Sequence, residues 1–235
     1  MSDARTAAVP VDVQTLSLGP IGTNCFIANV AGDRRAVIVD PGAQGDRVIA
    51  AVRARDLTVE AVLITHCHWD HIGAVAPVAR ELGVPVYMSR IEAPVLEDIG
   101  SYAPEQFGPY ESWKADELLD GGERLELAGM QLEVIHLPGH SPGTMGFYAE
   151  GVAGDDGGAF QSPPVLFVGD LIFQGSIGRS DLPFADGDVL LESAAMLLER
   201  LDDATVLYPG HGPDTTIGRE RQHNPFLRGL GSRGA

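Results

Sequence analysis

Apolar and polar positions alternate along this chain in two similar rounds of short runs, each round containing stretches of helical spacing. In the first round, alternating or β-branched apolar runs predict strands near Val11–Leu18, Cys25–Val30, Arg35–Asp40, Glu60–Thr65 and Val84–Met88. Helical spacing predicts helices near Asp46–Arg55 and Ala76–Leu82, where Pro77 falls in a first turn that tolerates it. The second round predicts strands near Glu123–Leu127, Met130–His136, Thr144–Tyr148, Val165–Gly169 and Thr205–Tyr208, with a helix near Val189–Leu201. No fixed short period repeats, which excludes solenoids. The pattern suits an α/β fold in which two sheets pack face to face with helices outside, a four-layer αββα sandwich built as one domain over residues 1–235.

Two segments interrupt the alternation. Ile99–Gly122 carries Tyr102, Phe107, Tyr110 and Trp113 among Pro and Gly. It reads either as a loop covering a pocket with aromatic surface or as an aromatic-anchored surface loop. Glu150–Pro164, rich in Gly, Asp and Pro between two strands, reads as a hairpin tip.

Chemistry concentrates in Thr65-His66-Cys67-His68-Trp69-Asp70-His71, directly after the apolar run Glu60–Thr65. On extended backbone, side chains two apart share a face, so His66 and His68 can hold one ion while Cys67 points away. Asp70 and His71 follow where the chain turns near Gly73 and can aim at a second point. The spacing differs from H-E-x-x-H, in which two histidines one helical turn apart serve a single zinc. Later candidates each end a strand-like run beside glycine: His140 after Pro138-Gly139, Asp170 after Gly169, and His211 after Pro209-Gly210. His136 and His223 read as packing or surface residues.

With these seven positions in order, the sequence resembles the metallo-β-lactamase-fold hydrolases, whose pattern is H-x-H-x-D-H followed by a distant His, Asp and His. The resemblance covers nearly the whole chain. It implies that His66, His68 and His140 hold one metal, that Asp70, His71 and His211 hold another, that Asp170 bridges them, and that the site lies at one edge of the sheets. Imidazoles with a few carboxylates suit two zinc ions (Zn2+) per chain, or iron or manganese, better than calcium or magnesium. Asp40, in the turn Asp40-Pro41-Gly42, either braces the ligand loop by hydrogen bonds or caps its own turn. In this family a water bridging two cations becomes the nucleophile, with Asp70 and Asp170 as the catalytic carboxylates.

Further runs narrow the branch. Gly169-Asp170-Leu171-Ile172-Phe173, Gly178-Arg179-Ser180-Asp181-Leu182-Pro183, Gly210-His211-Gly212-Pro213, Thr215-Thr216-Ile217-Gly218-Arg219-Glu220 and Asn224-Pro225-Phe226-Leu227 resemble glyoxalase II-like proteins in their short bacterial form. That resemblance implies cleavage of S-2-hydroxyacyl-glutathione thioesters, with another low-molecular-weight thiol as an alternative carrier. Only 24 residues follow His211, so the C-terminal helical domain of long glyoxalase II proteins is expected to be absent. Arg179 is either a carboxylate anchor for the substrate or an ion-pair partner of Asp181. Alternatives are a persulfide dioxygenase with one iron on His66, His140 and Asp170, a lactonase, and a non-catalytic ligand-binding member of the fold.

Charge and cysteine count change the picture in two places. A formal net charge of −17 disfavours a nucleic-acid partner, since phosphates would be repelled, and leaves a small-molecule thioester as the expected one. Cys25 and Cys67 are the only cysteines, too few for a disulfide framework, and no leader-like or membrane-spanning run is evident. The expected location is cytoplasmic, with no membrane partner; the sequence leaves the oligomeric state unspecified.

Overall fold

Runs that are apolar throughout become buried central strands, and runs that alternate become edges. The computed structural model describes residues 10–153 and 160–230. In chain order its first half comprises β1 (Val11–Leu18), β2 (Thr23–Val30), β3 (Arg35–Val39), α1 (Gly45–Ala54), β4 (Thr58–Leu63), α2 (Trp69–Ile72), α3 (Val75–Leu82), β5 (Val86–Ser89), α4 (Ala93–Glu97), α5 (Ile99–Tyr102) and β6 (Glu117–Leu119). These strands form one six-stranded sheet in sequence order. The first three pair antiparallel, and β3 to β6 run parallel, each parallel step needing a crossover.

The second half comprises β7 (Arg124–Leu127), β8 (Met130–His136), β9 (Met145–Ala149), β10 (Val152–Ala153), β11 (Phe160–Ser162), β12 (Val165–Gly169), β13 (Ile172–Phe173), β14 (Ser176–Ile177), α6 (Gly187–Arg200), β15 (Val206–Pro209), β16 (Thr215–Thr216) and α7 (Ile217–His223). Here the sheet order is β16-β15-β12-β9-β8-β7, and only β12 and β15 pair parallel. The Asp186 side chain caps α6 by accepting from the Asp188 and Val189 amides, and Thr216 caps α7 by accepting from Arg219.

Strand alternation sorts the core into layers. In the first sheet Ile27 and Ile38 face outward, onto Val48 and Val52 of α1 and Val75 and Val78 of α3. Their neighbours Phe26, Ala28, Val37 and Val39 face inward, onto Met130, Val134, Phe147 and Phe167 of the second sheet. Phe26 and Phe167 meet across the interface with ring centroids 5.4 Å apart. Truncating such a buried phenyl ring costs about 3–5 kcal/mol. On the far side, Leu190, Ala194 and Leu197 of α6 cover Leu166, Val168 and Leu207. The architecture is the four-layer αββα sandwich that the alternation suits.

Differences from the sequence-based expectation lie in the short elements. The segment 99–122 is not one loop: it opens with α5 and closes with β6, whose three residues gain their order by pairing with β5, a tertiary contact without a local signal. Of its aromatics, Tyr110 and Trp113 pack on the first core cluster, Phe107 stacks on Trp69 at 4.9 Å, and Tyr102 lines a cavity. Tyr110 and Trp113 thus act as anchors, and of the four aromatics only Tyr102 reaches the cavity. The expected hairpin in 150–164 is present as β10 paired with β11, its tip at 154–159 lying outside the described residues.

Candidate metal centre

Loops that leave the C-terminal ends of β3, β4, β8, β12 and β15 emerge at one edge of the sandwich and bring all seven expected ligand residues together. Ligand atoms of His66, His68 and His140 lie within 4.8 Å of one another, and so do those of Asp70, His71 and His211. Asp170 spans the two groups. Its Oδ2 is 3.5 Å from His140 Nε2 and 3.4 Å from His211 Nε2, and its Oδ1 is 3.5 Å from His71 Nε2.

Hydrogen bonds behind the rings decide which nitrogen each presents. Asp40 is buried and accepts from the Thr65 amide at 2.7 Å, the Thr65 hydroxyl at 2.6 Å and His71 Nδ1 at 2.9 Å. It is thus a brace of the ligand loop, leaving His71 Nε2 to face the site. The Thr65 hydroxyl, having given its proton to Asp40, accepts from His66 Nδ1 at 3.0 Å and turns His66 Nε2 inward. His140 Nδ1 donates to the Arg179 carbonyl at 2.8 Å, so its Nε2 also faces in, 2.8 Å from His68 Nδ1. Thr23 donates to Asp70 Oδ2 at 2.7 Å.

His66 Nε2, His71 Nε2 and Asp170 Oδ1 are buried and make no hydrogen bond among the described residues. Buried polar atoms without partners are costly, and several converging on one point mark a place for a cation. The donor chemistry, imidazole with carboxylate, fits first-row ions. Close packing leaves no slack around them: a Cβ on Gly210 would sit 2.1 Å from Asp170 Oδ1 and 2.5 Å from His71 Cε1, and one on Gly42 would lie 1.4 Å from the Asp70 carbonyl.

Burial and the charges gathered here pull the histidines apart in acidity. Burial, then the neighbouring imidazoles, pushes His66 well below its usual range. Burial and His140 lower His68 to about 4. Burial opposes the charge on His71 too, but Asp70, Asp170 and Asp40 together outweigh it and raise that ring to about 10. Burial likewise opposes the Asp70 charge, yet His71, His211 and Thr23 hold its carboxyl below the usual carboxylate range.

Three contributors carry no signal in the ligand pattern. Glu92, buried at the start of α4, accepts from the Cys67 amide at 2.6 Å and from the Gly143 amide at 2.8 Å, tying the loop of His66 and His68 to the loop of His140. Asn24 donates to the carbonyls of Pro209 at 2.9 Å and Gly212 at 2.8 Å, holding the loop of His211 against β2. Thr23 supports Asp70. All three act across long sequence separations, which no local spacing reports.

The remaining candidates fall as follows. Arg179 pairs with Asp181 through Nε at 2.9 Å and Nη2 at 3.0 Å, which supports the ion-pair reading, while its side chain also lines the cavity over the centre. His136 bonds the Pro142 carbonyl, and His223 ends α7 exposed. Cys67 lies outside the ligand groups, its thiol pushed up by burial and then by the Glu92 charge, and Cys25 is buried in the core. Among the described residues no helix is long and apolar enough to cross a membrane.

The fold recurs in known proteins. The chain is 35% identical over 198 residues to hydroxyacylglutathione hydrolase GloC of Haemophilus influenzae, a match covering 83% of this chain and 88% of that one. The crystal structure of BLEG-1, a B3 metallo-beta-lactamase, superposes with a TM-score of 0.82 at 39% identity and covers 93% of this chain and 100% of that one. The structure of TTHA1623 in a di-iron-bound form superposes with a TM-score of 0.71 at 37% identity, covering 92% and 100%. A family model described as the metallo-beta-lactamase superfamily matches residues 18–152, the stretch that carries the first five of the seven candidate ligand residues, and the chain belongs to that superfamily.

Proposed function

We propose that the protein is a dinuclear metal-dependent hydrolase of S-2-hydroxyacyl-glutathione-type thioesters, acting in the cytoplasm on a small-molecule substrate. His66, His68 and His140 would hold one ion and Asp70, His71 and His211 the other, with Asp170 within reach of both groups. The observation that carries this reading is the convergence of the unpartnered atoms His66 Nε2, His71 Nε2 and Asp170 Oδ1 on the space between the two groups. Zinc is the expected metal, and the di-iron form of TTHA1623 keeps iron in the set.

Bound there, first-row ions supply Lewis acidity, which lowers the pKa of water and polarises an acyl carbonyl. The protein supplies geometry. Asp40, Thr65 and the Arg179 carbonyl fix the imidazole tautomers in advance, so no ring has to reorient as charge develops. Asp70, held by a hydrogen bond from Thr23, and Asp170 present carboxylate oxygens beside the imidazole nitrogens of His71, His140 and His211. A thiolate needs no proton to depart, because its conjugate acid has a pKa of about 8.5, so no separate general acid is required. The similarity to GloC supports the same substrate class.

The similarity to BLEG-1 favours a second reading, β-lactam hydrolysis, which differs in needing a proton for the departing amine. One panel separates the readings. Metal-loaded protein is assayed for thiol release from S-lactoyl-glutathione, ring opening of a β-lactam and an acyl lactone, and oxygen uptake with glutathione persulfide, alongside elemental analysis. Thiol release with two metals per chain is expected; β-lactam turnover without it, or oxygen uptake with a single iron, overturns the proposal.

A further inference from the structure

The cavity over the centre holds about 800 Å³, and its walls are of a kind that hydrolysis of a small polar acyl group does not require. Large apolar side chains from three separate segments meet at its mouth. Ile21 comes from the turn between β1 and β2, Ile91 and Tyr102 from the segment around α4 and α5, and Phe184 from the loop before α6. They are 52%, 54%, 58% and 83% exposed, respectively. Scattered exposed hydrophobics need no explanation, but several converging on one concavity mark a binding surface. Phe184 adds an independent observation: its φ is 66°, the left-handed region that a bulky residue occupies only against strain, and strain of this kind gathers at ligand-contacting positions.

Positive charge is scarce there. Among the described residues Arg179 is the one Lys or Arg lining the cavity, and it is shared with Asp181. A glutathione thiol brings two carboxylates, which compete for that single cation and leave the apolar walls to the acyl substituent. We infer that the site selects 2-hydroxyacyl thioesters whose acyl group carries a long aliphatic or aromatic substituent, seated against Ile91, Tyr102 and Phe184, over the methyl of a lactoyl group. This rests on the thioester hydrolase reading and specifies its substrate.

The test is a homologous series on one thiol: lactoyl-, 2-hydroxybutanoyl- and 2-hydroxyhexanoyl-glutathione, with kcat/KM measured for each. Full burial of the added carbons raises kcat/KM about fourfold per methylene. Binding of S-methyl- and S-hexyl-glutathione, measured by calorimetry, reads the same preference without turnover, and S-hexyl is expected to bind more tightly. Ile91→Ser and Phe184→Gly, both at exposed positions and the latter also relieving the positive φ, should flatten both series. Equal or better performance of lactoyl- over 2-hydroxyhexanoyl-glutathione, with no gain for S-hexyl, overturns the inference and leaves the hydrolase reading standing. If no thioester is cleaved but S-hexyl-glutathione still binds more tightly through Ile91 and Phe184, the hydrolase reading fails while the cavity's apolar preference stands.

Discussion

Replacing Glu92 by glutamine tests whether one buried carboxylate holds the centre in shape. Its two oxygens accept from two backbone amides, Cys67 at 2.6 Å and Gly143 at 2.8 Å, in a position 2% exposed. Glutamine has the same shape but one acceptor, so its NH2 must face one of those N–H groups. An amide left unpaired in the interior costs about 1–3 kcal/mol, and losing charge assistance on the other bond adds about 1 kcal/mol. The expected loss is about 2–4 kcal/mol. In a chain of 235 residues each kcal/mol moves Tm by about 2–4 °C, so the variant should melt about 5–15 °C lower. Thermal unfolding is followed after chelation, so that metal loss does not enter the value. Because the two loops carry His66, His68 and His140, metal affinity by competitive chelation should fall about 10–100-fold. Glu97→Gln, at the exposed end of α4, is the control and should stay within about 0.5 kcal/mol of the parent. A Glu92→Gln protein with unchanged Tm and affinity would refute the clamp.

Three further outcomes are expected. Gly210→Ala places a methyl 2.1 Å from Asp170 Oδ1 and 2.5 Å from His71 Cε1, so elemental analysis should find at least one metal lost per chain while circular dichroism retains the fold. Asp40→Asn turns an NH2 either toward the Thr65 amide, which bonds Oδ1, or toward the Thr65 hydroxyl and His71 Nδ1, which share Oδ2; either way a donor loses its acceptor, and metal affinity should fall about 10–100-fold, read by chelator competition. In the metal-free protein His71 is raised from 6.5 to about 10, so its contribution to stability is full below about pH 6.5 and is lost as pH rises through 10. His68, lowered to about 4, acts the other way: stability falls as pH drops from 6.5 toward 4. Metal uptake must expel the His71 proton, so affinity should climb with pH up to about tenfold per unit below 10; a flat affinity between pH 6.5 and 9 would contradict this.

The sequence by itself determined the layers, which are written in local periods, and singled out the seven candidate ligand residues, partly by spacing and partly by the family pattern they match. Continuous apolar runs such as Cys25–Ala28 and Val165–Val168 form central strands, and period-two alternation sends Ile38 to one face and Val39 to the other. His66 and His68, two apart on extended backbone, share a target wherever the strand is placed. Each segment that carries candidate ligands also follows a strand, and strands aligned in a sheet deliver their ends to one edge. Tertiary structure alone decided what local spacing cannot encode. Glu92, Asn24 and Thr23 act on loops that are 25 to 188 residues away along the chain, so nothing near them reports their roles. Strand β6 exists because β5 offers it an edge. For Arg179, the sequence left an anchor and an ion pair open; in the fold its carbonyl orients His140 while its side chain meets Asp181. The acidity of His71 depends on three carboxylates gathered from separate loops, a field that exists only once the chain has folded.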